Sequence, residues 1–257
     1  MRHDAEMGGG ATLERYALTV RGLLLAHPTW LASHHAALAE HGLPLHDVDL
    51  GVVDVAAPVR ASKIRPGLHV HAADPSHLEL ARSTSARAVP VAAACVLTAT
   101  ASGVEAAVVA MDAALHRRIT TTERLTEALS LPGARFGIGL ARAAITHADP
   151  LAESPGESRT RLILLGAGLV VRSQVTITDA RGDIGRVDFL VGTDVVVEFD
   201  RLVKYDGADG KLALAREKAR EDRLREAGFR VVRLTWADLR HPDRVVATVR
   251  RALAAGA

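Results

Sequence analysis

Aromatic side chains are scarce in this chain: Phe, Trp and Tyr together make up 3% of its 257 residues. That argues against a stacking platform for single-stranded nucleic acid, because such platforms rest successive bases on aromatic rings. Cysteine occurs once, at Cys95, which excludes a disulfide scaffold and a cysteine zinc cage. Lysine occurs four times against 28 arginines, and three of the four, Lys204, Lys211 and Lys218, lie beyond residue 200. No charge-free apolar run approaches the roughly 18 residues of a membrane span, so no span and no membrane partner are expected. Met1 to Thr12 is polar and Gly-rich and has no apolar stretch of the signal-peptide kind. Residues 1–12 therefore read as a disordered leader, and the expected location is a reducing cytoplasm.

What is present is globular in composition, with 48% apolar and 24% charged residues and a net charge of +2. The length suits one or two domains. Up to Pro150 there are 13 basic and 14 acidic residues; from Leu151 on there are 19 and 16. The excess of positive charge therefore sits in the C-terminal part. Asp149 to Gly156, with Pro150, Ser154, Pro155 and Gly156, is the best boundary in the chain.

Before that boundary the pattern predicts a mainly helical module over 13–150. Leu13, Ala17, Val20, Leu24 and Leu25 have near-helical spacing, and Pro28 ends that helix. Ser33 is a good N-cap for a run through His41, which Gly42 stops. Leu50 to Val55 reads as a short strand, Arg60 to Pro66 as a basic loop and Leu68 to Ala72 as a second strand. Glu105 to Arg117 reads as a helix, Thr120 with Glu123 as a capping box for the next, and Gly133 to His147 as a third, weaker one. After the boundary a different order appears. A helix over Glu157 to Leu165 is followed by strands over Val170–Thr178, Ile184–Val191 and Asp194–Asp200. A charged helix, Lys211–Ala227, then precedes a strand, Phe229–Leu234, and a helical segment broken at Pro242. The order is α-β-β-β-α-β-α.

Three acids stand out on the predicted strands. In Val195-Val196-Val197-Glu198-Phe199-Asp200, strand alternation puts Glu198 and Asp200 on one face, about 6.5–7 Å apart. A tight turn at Gly192-Thr193 lays this strand beside Arg186-Val187-Asp188-Phe189-Leu190, where Val187 and Phe189 are expected to point one way and Asp188 the other. Three acids converging on one face repel one another unless a cation neutralises them. Hard oxygen ligands suit Mg²⁺ or Mn²⁺. Each acid alone reads better as an outward, solvated residue; the set, with Lys204 four positions beyond Asp200, argues for chemistry.

Residues of about 153–253 resemble the PD-(D/E)XK nuclease superfamily, in its very-short-patch-repair-endonuclease-like branch. The resemblance rests on Glu157 in Glu-Ser-Arg-Thr-Arg-Leu, Gln174, Asp188 in Arg-Val-Asp-Phe-Leu, and Glu198 with Asp200 in Val-Val-Glu-Phe-Asp. The stretch from Glu217 to Leu239 also matches. It implies an α/β, restriction-endonuclease-like αβββαβ core over 151–257, a mixed sheet flanked by helices. It also implies metal-dependent cleavage of DNA with Mg²⁺ (or Mn²⁺). Asp188, Glu198 and Asp200 would hold the metal, Glu157 would hold a water or a second ion, and Lys204 would polarise the attacking water or contact the phosphate. Arg201 stands where relatives have Gly, and Lys204-Tyr205 where they have His.

The N-terminal part has a looser resemblance to antitoxin-like proteins of type IV abortive-infection systems. It is carried by Ser33-His34-His35-Ala36-Ala37-Leu38, Gly42-Leu43-Pro44 and Arg65-Pro66-Gly67-Leu68-His69-Val70-His71. His69 and His71 share a strand face, and His34-His35 lie near a helix start. With no Cys or carboxylate spaced to complete a metal set, these read as core or surface histidines. Two functions follow: a metal-dependent DNA endonuclease in repair or phage defence, or a non-catalytic, antitoxin-like regulator binding DNA or a toxin-like protein partner.

Overall fold

The computed structural model describes residues 10–74, 86–200 and 208–256. The chain divides into two compact units, Met1–Pro150 and Leu151–Ala257. Among the described residues, no helix is long and apolar enough to cross a membrane.

The N-terminal unit opens with α1 (Gly10–Ala26), so residues 10–12 of the expected leader belong to a helix. A four-stranded sheet follows, in the order β1 (Leu31–Ala32), β2 (Val53–Ala57), β4 (Leu68–Ala72), β3 (Lys63–Arg65). β2 and β4 run parallel, and the two outer pairs are antiparallel. The expected basic loop at 60–66 is thus partly an edge strand: Lys63, Ile64 and Arg65 pair with Val70, His69 and Leu68. The strand expected over 50–55 begins three residues later. α2 (His34–Glu40) starts directly after β1, with Ser33 extended at its N-cap. Then come α3 (Val91–Ser102), α4 (Val104–His116), α5 (Thr122–Ala128) and α6 (Ile138–His147).

α3 and α4 bury long runs of alanine and valine. Small side chains let the two helices pack with little volume to fill, and apolar residues all round mark a helix as interior. The cap of α5 is Thr121, whose hydroxyl accepts the Arg124 N–H; the neighbouring Thr120 of the expected capping box is buried instead. The helix expected over 133–147 is split. Pro132–Ala134 forms a 3₁₀ turn, and Gly137, at φ 91°, adopts a left-handed conformation before α6. That conformation costs glycine little and ends the preceding turn.

The C-terminal unit follows the expected order. α7 (Pro155–Gly166) has Ser154 as N-cap, accepting the Glu157 N–H, and Pro at its first turn. The sheet runs β5 (Val171–Asp179), β6 (Gly182–Val191), β7 (Val195–Phe199), β8 (Arg230–Leu234). β5, β6 and β7 are antiparallel neighbours, and β8 pairs parallel with β7 after the crossover helix α8 (Ala208–Glu226). α9 (Trp236–Leu239) and α10 (Pro242–Ala254) end the unit. Pro at the start of α10 accounts for the break, since its ring admits it at a first turn but not inside a helix.

Both faces of the sheet are covered. Phe189, Val191, Val195, Val197 and Phe199 pack with Leu164, Leu239, Val245 and Val249 of α7, α9 and α10. Ile177, Ile184, Val187, Leu190 and Val196 pack with Leu224 of α8 on the other face. Three consecutive buried valines are what a strand buried on both sides requires. Val187 and Phe189 do not point the same way as expected: they sit in opposite clusters. The alternation breaks at Asp188. Opposite it in the register stands Gln174, at φ 53°, between the pairs Ser173↔Phe189 and Val175↔Val187.

Candidate functional site

In the C-terminal unit, the end of α7 nearest the boundary and the irregular stretch of β5 and β6 collect the acids. Glu157 is buried, and its position in the first turn of α7 explains part of its bonding. Its Oε1 accepts the Ser154 hydroxyl at 2.7 Å and its Oε2 the Glu153 N–H at 3.0 Å. Oε2 also accepts Gln174 Nε2 at 2.9 Å. Gln174 is thus a partner of Glu157, held there from a left-handed backbone that costs about 1–2 kcal/mol for a residue with a Cβ. Strain of that kind collects at functional sites more than elsewhere.

Asp188 lies where the strand alternation fails. Its Oδ2 accepts the Phe199 N–H at 2.8 Å, so the carboxylate reaches across to β7. Burial pushes its carboxyl up to about 6; the Phe199 N–H pulls the other way, and the nearby charges of Glu157, Glu198 and Glu153 push it up further. Asp188 is therefore an acid among acids, with too little positive charge of its own.

Glu198 shares the face of Val196, under α8. Its Oε1 accepts Arg220 Nη2 at 2.8 Å, and its Oε2 lies 3.6 Å from Arg233 Nη2. Arg220 also donates to the Arg186 carbonyl at 2.8 Å, and Arg233 pairs with Glu217 and Glu221. The charge run of α8 is therefore more than a solvated face: Arg220 turns inward onto Glu198, and Arg223 reaches Asp179 at 2.8 Å. Asp200 is more open; its carboxylate is 4.0 Å from Arg233 Nη1. Lys204 lies outside the described residues, as do Arg201 and Tyr205.

Glu157 and Glu198 are thus near enough to raise the cost of charging Asp188, while the Glu198 carboxylate is already met by two guanidinium groups. Among the described residues, Asp188, Glu198 and Asp200 do not form a group with ligand atoms within 4.8 Å of one another; His34, Asp54 and His71 do.

That second cluster was not legible in the sequence, because its carboxylate is a buried residue near the start of β2. Asp54 pairs in parallel register with His69, and Ala56 with His71, which puts Asp54, His69 and His71 on one face of the sheet. α2 begins on that face with His34 and His35. Asp54 Oδ1 is 2.6 Å from His71 Nε2, 3.5 Å from His69 Nδ1 and 3.9 Å from His34 Nδ1. Asp54 Oδ2 is 3.6 Å from His35 Nδ1. Burial holds the His34 imidazole down to about 4 against the pull of Asp54, and burial lowers His35 as well. Burial alone would raise the Asp54 carboxyl, but the His71 hydrogen bond and the neighbouring His34 and His35 bring it below its ordinary value. The signal in the sequence that points to the cluster is Asp54 itself, a lone charge inside an otherwise apolar strand, since such charges are buried only when paired or coordinating.

Compared with known proteins, the chain is similar to uncharacterized proteins from two strains of Mycobacterium tuberculosis, CDC 1551/Oshkosh and H37Rv. Each is 31% identical over 150 residues, covering 57% of this chain and 54% of the relative. The chain spans about half the length of these curated relatives. No family model matches it, and no solved structure matches it either.

Proposed function

We propose that the C-terminal unit is a divalent-cation-dependent nuclease that cleaves DNA phosphodiesters, in the manner of the PD-(D/E)XK enzymes its sequence resembles. The observation that carries this reading is Asp188: a part-buried carboxyl pushed up to about 6 by burial and by Glu157, Glu198 and Glu153 around it. Such a group is out of balance without a cation and in balance with one. The donor set is all oxygen and fits Mg²⁺ or Mn²⁺. Asp188 and Glu198 would hold the ion, with Asp200 or Glu157 completing the set. A bound divalent ion there lowers the pKa of water and takes up charge on the scissile phosphate.

The protein's own groups supply the rest. Phe199 N–H fixes Asp188, and Gln174 with Ser154 fixes Glu157. Arg220 and Arg233 neutralise Glu198, and their guanidinium N–H groups would suit a phosphate as well. Lys204 is the residue proposed to polarise the attacking water.

A second reading is favoured by one of the same contacts. With Glu198 already met by Arg220 and Arg233, the unit would bind DNA or a protein partner without cutting, as an antitoxin-like regulator. Plasmid nicking with Mg²⁺, Mn²⁺ or EDTA, beside Asp188→Asn, decides between them. Metal-dependent nicking lost in the variant supports the enzyme. Cleavage that persists in Asp188→Asn removes the site assignment, and binding without cleavage by the wild type moves the unit to the regulator.

A further inference from the structure

The N-terminal unit carries a second constellation that the nuclease reading does not use. We propose that His34, Asp54 and His71 bind a divalent cation of the zinc class, with His69 as a fourth ligand on the open side. One ligand atom from each of the first three lies within 4.8 Å of the others. Atoms bound to one ion at about 2.0–2.2 Å in tetrahedral geometry stand about 3.3–3.6 Å apart. The separations of Asp54 Oδ1 from His71 (2.6 Å), His69 (3.5 Å) and His34 (3.9 Å) bracket that value. Side-chain shifts of less than an ångström would therefore close the set.

A second observation points to a cation independently of those distances. His35 is buried, and its Nε2 lies 3.0 Å from the Val52 carbonyl. A carbonyl only accepts, so the proton is on Nε2. In the neutral ring that leaves Nδ1 with a lone pair, buried and 3.6 Å from Asp54 Oδ2. Two electron-pair donors thus confront each other in the interior. Carboxylate satisfaction alone does not explain this: one imidazole N–H, from His71, already serves Asp54. Four imidazoles gathered around one buried carboxylate are more than its charge requires.

The elements are also placed as ligand carriers are. β2 and β4 are adjacent parallel strands, and Ser33 N–H donates to the Asp54 carbonyl at 2.9 Å, fixing the start of α2 over them. His34 adopts φ 50°, a left-handed conformation that a residue with a side chain rarely takes. The Ser33 hydroxyl is 3.0 Å from His34 Nδ1, the nitrogen that also faces Asp54, and it would turn away for that nitrogen to take an ion. His69 and His71 are about one-third exposed on their side chains, so an ion has a way in. Imidazole with carboxylate selects zinc and its first-row neighbours over Mg²⁺, which prefers oxygen throughout. This site would be distinct in chemistry from the all-oxygen acids of the C-terminal unit.

The test uses the full chain, stripped with a chelator and titrated with Zn²⁺ or Mg²⁺ against a competing chromophoric chelator. Wild type is expected to take up one equivalent of Zn²⁺. It should also gain roughly 5–10 °C in the melting transition of the N-terminal unit at free zinc near 100 Kd. Mg²⁺ should not displace that zinc. His71→Ala, at a partly exposed position, and Asp54→Asn should each weaken zinc binding by at least about 100-fold. Asp188→Asn should bind as wild type does, which separates this site from the nuclease acids. Absence of stoichiometric zinc uptake by wild type overturns the proposal, and so does undiminished binding by His71→Ala. Should either variant fail to fold, histidine-ring NMR of wild type decides. Zinc must shift the resonances of His34 and His71, and shifts confined to other histidines overturn the site.

Discussion

Asp188 Oδ2 accepts the backbone N–H of Phe199 at 2.8 Å. The bond ties β6 to β7 at the point where the regular ladder gives out, and it opposes burial and three neighbouring acids in setting the Asp188 charge.

The pH dependence of the two units follows from groups of opposite sign. Asp188 has a folded value of about 6, above its unfolded value near 4. Its contribution is full below pH 4 and is lost as pH rises through 6, about 1–2 kcal/mol after allowing for partial exposure. His34 lies at about 4 in the fold, below its unfolded 6.5. Its contribution is full above pH 6.5 and is lost as pH falls toward 4, on the order of 2–3 kcal/mol. In EDTA between pH 7.5 and 5, Asp188→Asn should flatten the pH slope of the C-terminal unit, and His34→Gln that of the N-terminal unit. Trp30 and Trp236, one in each unit, report the two transitions separately by fluorescence in Trp→Phe variants.

Arg220 is the counterion of Glu198, which its side-chain exposure of 13% leaves with little water to solvate it. Arg220→Ala should cost about 1.5–3 kcal/mol, because it leaves the part-buried Glu198 with Arg233 alone, at 3.6 Å. Glu198→Gln added to that variant should recover much of the loss. Urea unfolding of the two single variants and the double variant gives the coupling energy; strictly additive effects would show that the pair is not coupled.

Gly156 in α7 packs against the Phe199 side chain, and a Cβ there would overlap the ring carbons Cδ1, Cε1 and Cζ. Gly156→Ala should destabilise the C-terminal unit by about 1–3 kcal/mol through overpacking. It should also disturb the Phe199 N–H and with it Asp188. The expected readout is a lowered melting temperature together with a loss of nicking; unchanged values of both would contradict the packing.

Lys204 distinguishes chemistry from binding. Lys204→Ala should cut the metal-dependent cleavage rate by about two or more orders of magnitude, as loss of one preorganised donor does. DNA affinity should fall far less, since one phosphate contact is a small part of the binding. Lys204→Arg should restore affinity better than rate, because guanidinium keeps the charge without its compact placement. Single-turnover cleavage and DNA binding at one salt concentration check all three, and equal rates for wild type and Lys204→Ala would remove the residue from the mechanism.

Local pattern carried the sequence reading a long way in residues 151–257. The Pro- and Gly-containing stretch at 149–156, the Gly192-Thr193 turn, the valines of β7 and Pro242 each act within a few residues, so the order of elements could be read from them. The division near Pro150 was legible for the same reason. Contacts between residues far apart in the chain were not. That Arg220 turns onto Glu198 depends on where the crossover helix lands. That Val187 and Phe189 face opposite sides depends on Gln174 taking a left-handed backbone to reach Glu157. Strand alternation assumes regular pairing, and one irregular residue inverts it. The His34, Asp54 and His71 cluster is the plainest case. Its members are 17 or more positions apart, and only the parallel pairing of β2 with β4, with α2 starting over both, joins them. The residue types were always present in the sequence, but proximity belongs to the tertiary structure, because burying Asp54 demands partners that its own neighbours in the chain cannot supply.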